Sequence, residues 1–231
     1  MSRIYGVNTV KDSLRNRTVS KLLVLKGFKN NFILDDAKKK NIPIEYLSKE
    51  KMDQISKKGI HQGVIAEVVD YKTYSLSEVM NNKKDSVIVI LDELSDPHNL
   101  GAILRSSDIF KVDAIIYKKN NSVSLSPLVA KISTGAINYV KCVEVTNLTR
   151  TINELKENGY WVIGLDGSAK EEVKNIYRNR KLVIVVGSEG FGISRLVKEN
   201  CDVLLKIPQF GHVNCLNASV ACSIVLYEIR R

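Results

Sequence analysis

Residues 86–91 read SVIVIL and residues 181–186 read KLVIVV, two runs built almost entirely of apolar, mostly β-branched residues. A run without polar alternation is typical of a central strand that is buried on both faces of a parallel sheet. Shorter strand patterns alternate with helical patterns over the rest of residues 86–231, and this order indicates an α/β domain. The other strands are predicted at Ala114–Tyr117, Cys142–Val145, Trp161–Leu165 and Val203–Ile207, and the helices at Leu100–Phe110, Leu128–Ala136, Leu148–Asn158, Ile193–Glu199 and Ala218–Arg231.

A smaller α/β domain is predicted over residues 1–72. Residues 73–85 are polar and rich in Asn and Lys, and we interpret them as a linker, although Ser75–Met80 can start a short helix. In the small domain the strands are predicted at Lys21–Lys26, Ile42–Leu47 and Gly63–Val69, and the helices at Val7–Asn16, Asn31–Lys40 and Lys49–Lys57.

The net charge of +10 is unevenly distributed along the chain. Residues 1–72 hold 15 Lys/Arg and 8 Asp/Glu, a net charge of +7, which leaves 20 against 17, or +3, for the other 159 residues. A basic excess in one third of the chain favours a polyanion-binding module joined to a more neutral catalytic module. A Lys-rich, solvated surface would give the same count.

Several classes of protein are excluded by composition. No stretch approaches the roughly 18 apolar residues of a membrane span, and the first ten residues lack the apolar run of a signal peptide. We therefore expect a soluble, cytoplasmic protein. Metal-ligand spacing is absent, because the cysteines are unpaired in sequence and the three histidines are scattered, so no metal site is expected. The cysteines are Cys142, Cys201, Cys215 and Cys222.

Three predicted strand ends carry unusual sequences: DELSDPHNLGAILR at 92–105, VVGSEGFG at 185–192 and IPQFGHVNCLNAS at 207–219. Ligands of parallel α/β sheets lie at such strand ends. In the first segment Asn99 is interpreted as a helix N-cap, and Arg105, six residues later, can face the same crevice. A capped helix with a solvated Arg is the competing interpretation. The glycine order of the second is neither a Rossmann nor a P-loop pattern, and Glu189 would repel a phosphate. In the third, Asn217 either caps a helix or faces a substrate.

Together and in this order, the three segments resemble the three motifs of the SpoU family of knotted methyltransferases. The basic first third is similar to the ribosomal-protein-like, substrate-binding domain that precedes the catalytic domain in members acting on ribosomal RNA. The resemblance implies S-adenosylmethionine-dependent methylation of a ribose 2′-hydroxyl, a deep trefoil knot and a homodimer whose active sites span the subunit interface. The implied catalytic residues are Asn99, Arg105, Glu189 and Asn217, and the implied cofactor-binding residues are Gly187, Ile207 and Leu216.

Arg105 holds the central role by this resemblance. Because a guanidinium pKa exceeds about 12, we expect it to stabilise the developing alkoxide and grip a phosphate rather than accept a proton. Glu189 is expected to orient Arg105 or the ribose, and Asn217 to hydrogen-bond the substrate or the cofactor carboxylate. Cys215 stands where the family usually has Ser, and it is left outside the predicted catalytic set.

The front domain favours large-subunit ribosomal RNA as the partner, with a guanosine of 23S RNA as the target. Resistance-conferring relatives with the same layout methylate an adenosine, so base identity stays open. Transfer RNA, a non-catalytic role in RNA binding or ribosome assembly, and phosphate binding by the 187–192 glycines are the alternatives. An RNA-contacting patch is predicted in the first domain, with a solvated helix face as the competing interpretation; its residues are Arg3, Lys11, Arg15 and Arg17.

Overall fold

The structure of the protein is a computed structural model, and it describes residues 2–15, 19–68, 71–81, 83–213 and 215–231. The chain divides into two compact units, one of residues 1–71 with 124–128 and the other of residues 72–123 with 129–231.

The first unit contains a four-stranded sheet in the order β1-β4-β2-β3, in which β2 and β3 are parallel and β4 runs antiparallel to β1 and β2. One face is covered by the apolar stripes of α1 and α2, and Met52 of α3 packs against the other. The elements are β1 (Ser2–Tyr5), α1 (Val7–Arg15), β2 (Val19–Leu25), α2 (Asn31–Lys39), β3 (Ile44–Leu47), α3 (Lys49–Ile55) and β4 (Val64–Val68).

The rest of the chain carries seven strands, and the predicted parallel sheet is confirmed. Every adjacent pair is parallel, in the order β7-β6-β5-β10-β8-β11-β9. The strands are β5 (Val87–Leu91), β6 (Ala114–Lys118), β7 (Lys141–Val145), β8 (Trp161–Leu165), β9 (Glu171–Glu172), β10 (Leu182–Val186) and β11 (Val203–Lys206). The helices are α4 (Leu76–Val79), α5 (Pro97–Ile109), α6 (Pro127–Ile132), α7 (Leu148–Glu157), α8 (Arg195–Glu199) and α9 (Ala218–Arg230), with 3-10 turns at Ala136–Asn138 and Val173–Asn175.

The two runs that indicate the fold lie side by side at the centre of this sheet. β5 pairs with β10 over its whole length, and no residue of either strand is more than 3% exposed. Helices cover both strands, which explains why neither shows polar alternation. Since all seven strands are parallel, the loops that follow β5, β8, β10 and β11 gather at one edge of the sheet.

Residues 73–85 are the segment expected to form a linker. Those that the structure describes belong to the second unit and contact its sheet and core. The Tyr74 amide donates to the Cys142 carbonyl at 2.8 Å, and α4 buries Val79 in the core beneath the sheet. A capping box at Ser75 and Glu78 starts this short helix. Across the described residues, no helix is long and apolar enough to cross a membrane.

Candidate active site

A cavity of about 270 Å³ lies at the carboxyl edge of the large sheet, between the loops that follow β8, β10 and β11. Gly187, Ile207 and Leu216, the predicted cofactor residues, all line it. Its walls are partly apolar, and the loops add backbone amides and carbonyls. The apolar side chains come from Leu165, Val186, Leu205, Leu216, Ala218 and Ala221.

The loop that follows β10 folds back tightly on itself. The Ser188 amide donates to the Gly192 carbonyl at 3.0 Å, and the Gly192 amide returns a bond to the Ser188 carbonyl at 2.9 Å. A Cβ on Gly187 would lie 2.1 Å from the Gly192 carbonyl carbon, and Gly192 has a φ of 68°. Both positions therefore require glycine, the first for space and the second for its backbone conformation.

Three of the four predicted catalytic side chains meet beside this cavity. The Asn99 amide donates to Glu189 Oε1 at 2.9 Å, the Asn217 amide donates to Asn99 Oδ1 at 2.9 Å, and Asn217 also donates to Glu189 Oε1. Asn99 is only 4% exposed, so the Glu189 carboxylate is held against a buried amide. We call Asn99, Glu189 and Asn217 the polar cluster.

The two amide side chains of the polar cluster are positioned by the N-terminal ends of α5 and α9. The expectation that Asn99 is an N-cap is wrong: Asp96 caps α5 by accepting from the His98 amide at 2.9 Å, and Pro97 takes the first helical position. Asn99 thus lies inside the first turn, and its side chain is available to Glu189. Asn217 is the N-cap of α9 and accepts from the Ser219 amide at 2.9 Å through Oδ1, while its Nδ2 reaches the cluster.

Arg105 lies apart from the polar cluster in this chain, contrary to the expectation that it shares a crevice with Asn99. Six residues separate the two on α5, which turns Arg105 by about 240° around the helix axis. Arg105 is exposed, lines none of the cavities beside the cluster, and makes no hydrogen bond or ion pair with any residue that the structure describes. Within one chain Glu189 therefore does not orient Arg105, and its carboxylate contacts the two amides instead.

Arg105 lies four residues before Ile109 on α5, so the two share one face of that helix, and α5 packs against α9. The Ser106 and Ser223 hydroxyls join the two helices at 2.7 Å. Beside them, Ile109 is 65% exposed, Val220 45% and Tyr227 55%. We call Ile109, Val220 and Tyr227 the α5/α9 surface; exposed apolar groups clustered on paired helices are typical of a protein interface.

The cationic patch predicted in the first unit is split between two faces of its sheet. Arg3 projects from β1 on the face opposite α1 and α2, where it donates to Glu67 at 2.8 Å. Lys11 lies on α1, 4.5 Å above the Phe32 ring, and Arg15 pairs with Asp12 at 3.7 Å. These residues do not form one surface, and Arg17 lies outside the described residues.

Sequence reasoning missed Asp166, which lines the cavity from the loop after β8. Hydrogen bonds from Lys198 and Ser168 lower the pKa of its carboxyl from 3.8 to about 2. Because the folded-state pKa is the lower one, this network stabilises the loop above pH 3.8 and is lost as the pH falls toward 2. The sequence feature that could have identified Asp166 is the Asp-Gly-Ser turn directly after a strand.

Asn217 performs two separable tasks, and substitution is expected to divide them. Serine is also a good N-cap but lacks the amide that reaches Glu189, so Asn217→Ser and Asn217→Ala should both lower catalytic activity about 100-fold. In urea unfolding, however, the alanine variant should be about 1 kcal/mol less stable than the serine variant, because only alanine leaves α9 uncapped. Full activity in Asn217→Ser would show that the amide is not needed.

The fold and the site define a class: an α/β enzyme with a strand-end cavity and an amide-held carboxylate. The sequence profile of the SpoU rRNA Methylase family matches residues 86–227, and that of the RNA 2′-O ribose methyltransferase substrate-binding domain matches residues 3–74. A protein of Staphylococcus haemolyticus assigned to the TrmH family of tRNA/rRNA methyltransferases is 43% identical over 99% of this chain and 94% of its own length. The chain belongs to the SpoU rRNA methylase family, and it is an RNA methyltransferase.

Solved structures share the fold. The SpoU methyltransferase AviRb from Streptomyces viridochromogenes, also solved in complex with the cofactor AdoMet, is 20% identical with a TM-score of 0.65 over 98% of this chain and 87–88% of that chain. The TrmH/SpoU tRNA modifying enzyme of A. aeolicus is 28% identical with a TM-score of 0.58, over 67% of this chain and 79% of that chain. Among the described residues, no cluster of metal-binding side chains occurs.

Proposed function

We propose that this protein transfers the methyl group of S-adenosylmethionine to the ribose 2′-hydroxyl of a guanosine in 23S ribosomal RNA. The observation that carries the proposal is the adjacency of the 270 Å³ cavity and the polar cluster: Glu189 borders the cavity and is bonded to both amides. A methyl transferase must hold donor and acceptor at near-attack distance, and this arrangement places a cofactor-sized cavity beside a hydrogen-bonding carboxylate.

The cavity fits the cofactor in shape and chemistry. Leu205, Leu216 and Ala218 offer an apolar wall for an adenine ring, and the backbone of Gly187 approaches without a Cβ. When bound, S-adenosylmethionine supplies the activated methyl group. Glu189 lies at the cavity rim, where a carboxylate is tolerated beside a sulfonium and would repel a phosphate.

The polar cluster orients the acceptor. Two amides occupy Oε1 of Glu189, which fixes the carboxylate and leaves Oε2 to accept a hydrogen bond from a ribose hydroxyl. A hydroxyl held in this way keeps its lone pairs directed at the cavity. Stabilising the developing alkoxide requires a cation, and within one chain Arg105 lies elsewhere.

We propose that a second copy of the chain packs on the α5/α9 surface. In such a homodimer Arg105 can reach an active site that it does not reach within its own chain. Arg105 borders that surface and is free of partners among the described residues. In a two-fold dimer the same surface meets itself, so Arg105 of one copy can approach the polar cluster of the other. Each active site then contains the guanidinium of one chain and the carboxylate of the other.

We also propose that the loops after β8, β10 and β11 cross to form the trefoil knot expected from the family. The support is the family assignment together with the strand order, which inserts β10 between β5 and β8 and places β11 outside β8. Crossing loops would hold the cofactor cavity closed against thermal opening.

Transfer RNA is the second candidate substrate, because the relatives that match most of the chain are assigned to tRNA/rRNA methyltransferases. The test is to map 2′-O-methyl groups in both RNA classes from cells with and without this protein. Loss of one methyl in 23S RNA is the expected result. Loss from a transfer RNA would replace the proposed substrate, and no loss from either would overturn the proposed function.

Cys215 gives an independent test of where the cofactor binds. Burial raises the pKa of Cys142, Cys201 and Cys222 to about 12, whereas Cys215 is exposed and lines the cavity. Because thiolates react and thiols do not, we expect Ellman's reagent to modify one thiol per folded chain rapidly. S-adenosylhomocysteine should slow that reaction.

The matched control is Cys215→Ser, which should abolish the rapid phase and keep affinity for S-adenosylhomocysteine. If the ligand binds by calorimetry and leaves the rapid phase unchanged, the cofactor does not occupy this cavity.

A further inference from the structure

A second groove, of about 310 Å³, adjoins the cofactor cavity. Its walls are the loops that follow β5 and β10, with Asn121 added from the loop that follows β6. It shares Ser188, Glu189 and Gly190 with the cofactor cavity, so a molecule in the groove lies next to the polar cluster. The lining residues are Glu93, Leu94, Ser95, Asp96, Asn99, Asn121, Ser188, Glu189, Gly190 and Phe191.

Phe191 is 95% exposed on the wall of this groove, between Gly190 and Gly192. An aromatic ring presented to solvent on a glycine-flanked loop is available for stacking on both faces. Proteins that bind unpaired nucleotides use such rings as platforms for a base. Phe210, which is 97% exposed on the loop after β11, lines neither cavity.

The charge of the groove decides which part of a nucleotide enters it. Glu93, Asp96 and Glu189 place three carboxylates on its walls, and Lys118 offsets the charge of Glu93, so the walls remain net negative. A phosphodiester is repelled by such a surface, whereas an uncharged base that presents N–H donors is attracted. The groove therefore suits the base, with the ribose directed toward Glu189 at the boundary with the cofactor cavity.

Glu93 is the carboxylate placed to read the base edge. Its Oε1 accepts from Lys118 Nζ at 3.0 Å, which leaves Oε2 and a second lone pair of Oε1 available. Asp96 accepts from the His98 amide through Oδ1, which holds its side chain at the start of α5. The Asn121 side chain, on the same groove, has no hydrogen bond to any described residue. Guanine offers two adjacent donors, N1–H and the 2-amino group, which match a carboxylate; adenine does not.

We infer that this groove holds the base of the acceptor nucleotide, stacked on Phe191, and that Glu93 selects guanine over other bases. The inference rests on the proposed function, which it extends from the methyl donor to the acceptor. It also explains how the 2′-hydroxyl is brought to the polar cluster: the base anchors the nucleotide on one side of Glu189 and the cofactor lies on the other.

Stacking is tested with Phe191→Ala against the matched control Phe210→Ala, in the full-length protein acting on ribosomal RNA that lacks the methyl group. Phe191→Ala should raise the KM for RNA about 10-fold or more, with affinity for S-adenosylhomocysteine unchanged, and Phe191→Trp should restore it. Phe210→Ala should change the KM less than about 2-fold. Equal effects of the two alanine variants, or no rescue by tryptophan, would overturn the stacking role.

Base reading is tested with RNA in which inosine replaces the target guanosine, because inosine lacks only the 2-amino group. The wild-type protein should prefer guanosine by about 10-fold in kcat/KM, and Glu93→Gln should bring that ratio close to one. The control Glu171→Gln, on β9, should keep the preference. An unchanged ratio in Glu93→Gln refutes base reading, whereas a wild-type protein that methylates neither RNA refutes the proposed function instead.

Discussion

An equal mixture of Arg105→Ala and Glu189→Ala chains is expected to recover about a quarter of wild-type methylation, although each variant alone should be reduced about 100-fold or more. The variants are combined by coexpression, so that subunits assort at random. Half of the dimers then contain one chain of each kind. In such a dimer, one site unites the intact Arg105 of one chain with the intact Glu189 of the other. Transfer of a labelled methyl group measures the recovery.

The reason for this expectation is the separation of Arg105 from the polar cluster within one chain. The helix turns Arg105 away from Asn99 and directs it to the side of the α5/α9 surface, whereas both amides that hold Glu189 belong to the same chain as Glu189. In the proposed homodimer, the guanidinium and the carboxylate of one active site therefore come from different copies. Complementation between inactive subunits follows only from that arrangement.

A mixture of Glu189→Ala and Asn217→Ala is the matched control. Both residues belong to one polar cluster, so every site of a mixed dimer retains a damaged cluster and no recovery is expected. If the Arg105→Ala and Glu189→Ala mixture forms mixed dimers, verified by two affinity tags, and stays inactive, Arg105 does not act across an interface.

Gly187→Ala is expected to abolish cofactor binding, with a loss of affinity of at least about 100-fold. A Cβ at this position would meet three backbone atoms of Gly192 and Ile193 at 2.1–2.3 Å, and backbone cannot move aside as a flexible side chain can. The loop that closes through Ser188 and Gly192 would have to open, which displaces Glu189 as well. Calorimetry with S-adenosylhomocysteine measures the loss.

Gly211→Ala serves as the comparison, since a Cβ there meets no atom within 4 Å and the residue lies outside the cavity. Its affinity for the cofactor product should match that of the wild type. Retained binding in Gly187→Ala, with the protein folded by circular dichroism, would show that the loop tolerates opening and that its closure does not shape the cavity.

The parts of this fold that sequence predicts are those with local physical causes. The runs at 86–91 and 181–186 are buried on both faces, and burial alone imposes their composition. β1 was not predicted, because only Ile4 of its four residues contributes to the core and the strand exists through pairing with β4. β9 is two residues long and likewise depends on its neighbour β11.

The candidate site likewise has features that the sequence predicts and features that it does not. Gly187 and Ile207 directly follow β10 and β11, which the parallel sheet brings to one edge, so their common cavity follows from topology. Leu216 joins them from the end of the segment between β11 and α9. The direction of Asn99 relative to Arg105 depends on where α5 begins: with Asp96 rather than Asn99 as the N-cap, Asn99 is a helical residue about 240° around the axis from Arg105. A shift of three residues in a helix start is beyond the precision of sequence patterns. The bonds within the polar cluster join residues 28 to 118 positions apart.

The dual use of Asn217 couples the polar cluster to the formation of α9. Its Oδ1 accepts from the amides that open α9, so of the two amides that hold Glu189, only the Asn99 amide is independent of that helix. A chain in which α9 has not yet formed therefore lacks the complete polar cluster, even when the strands of its sheet are already paired.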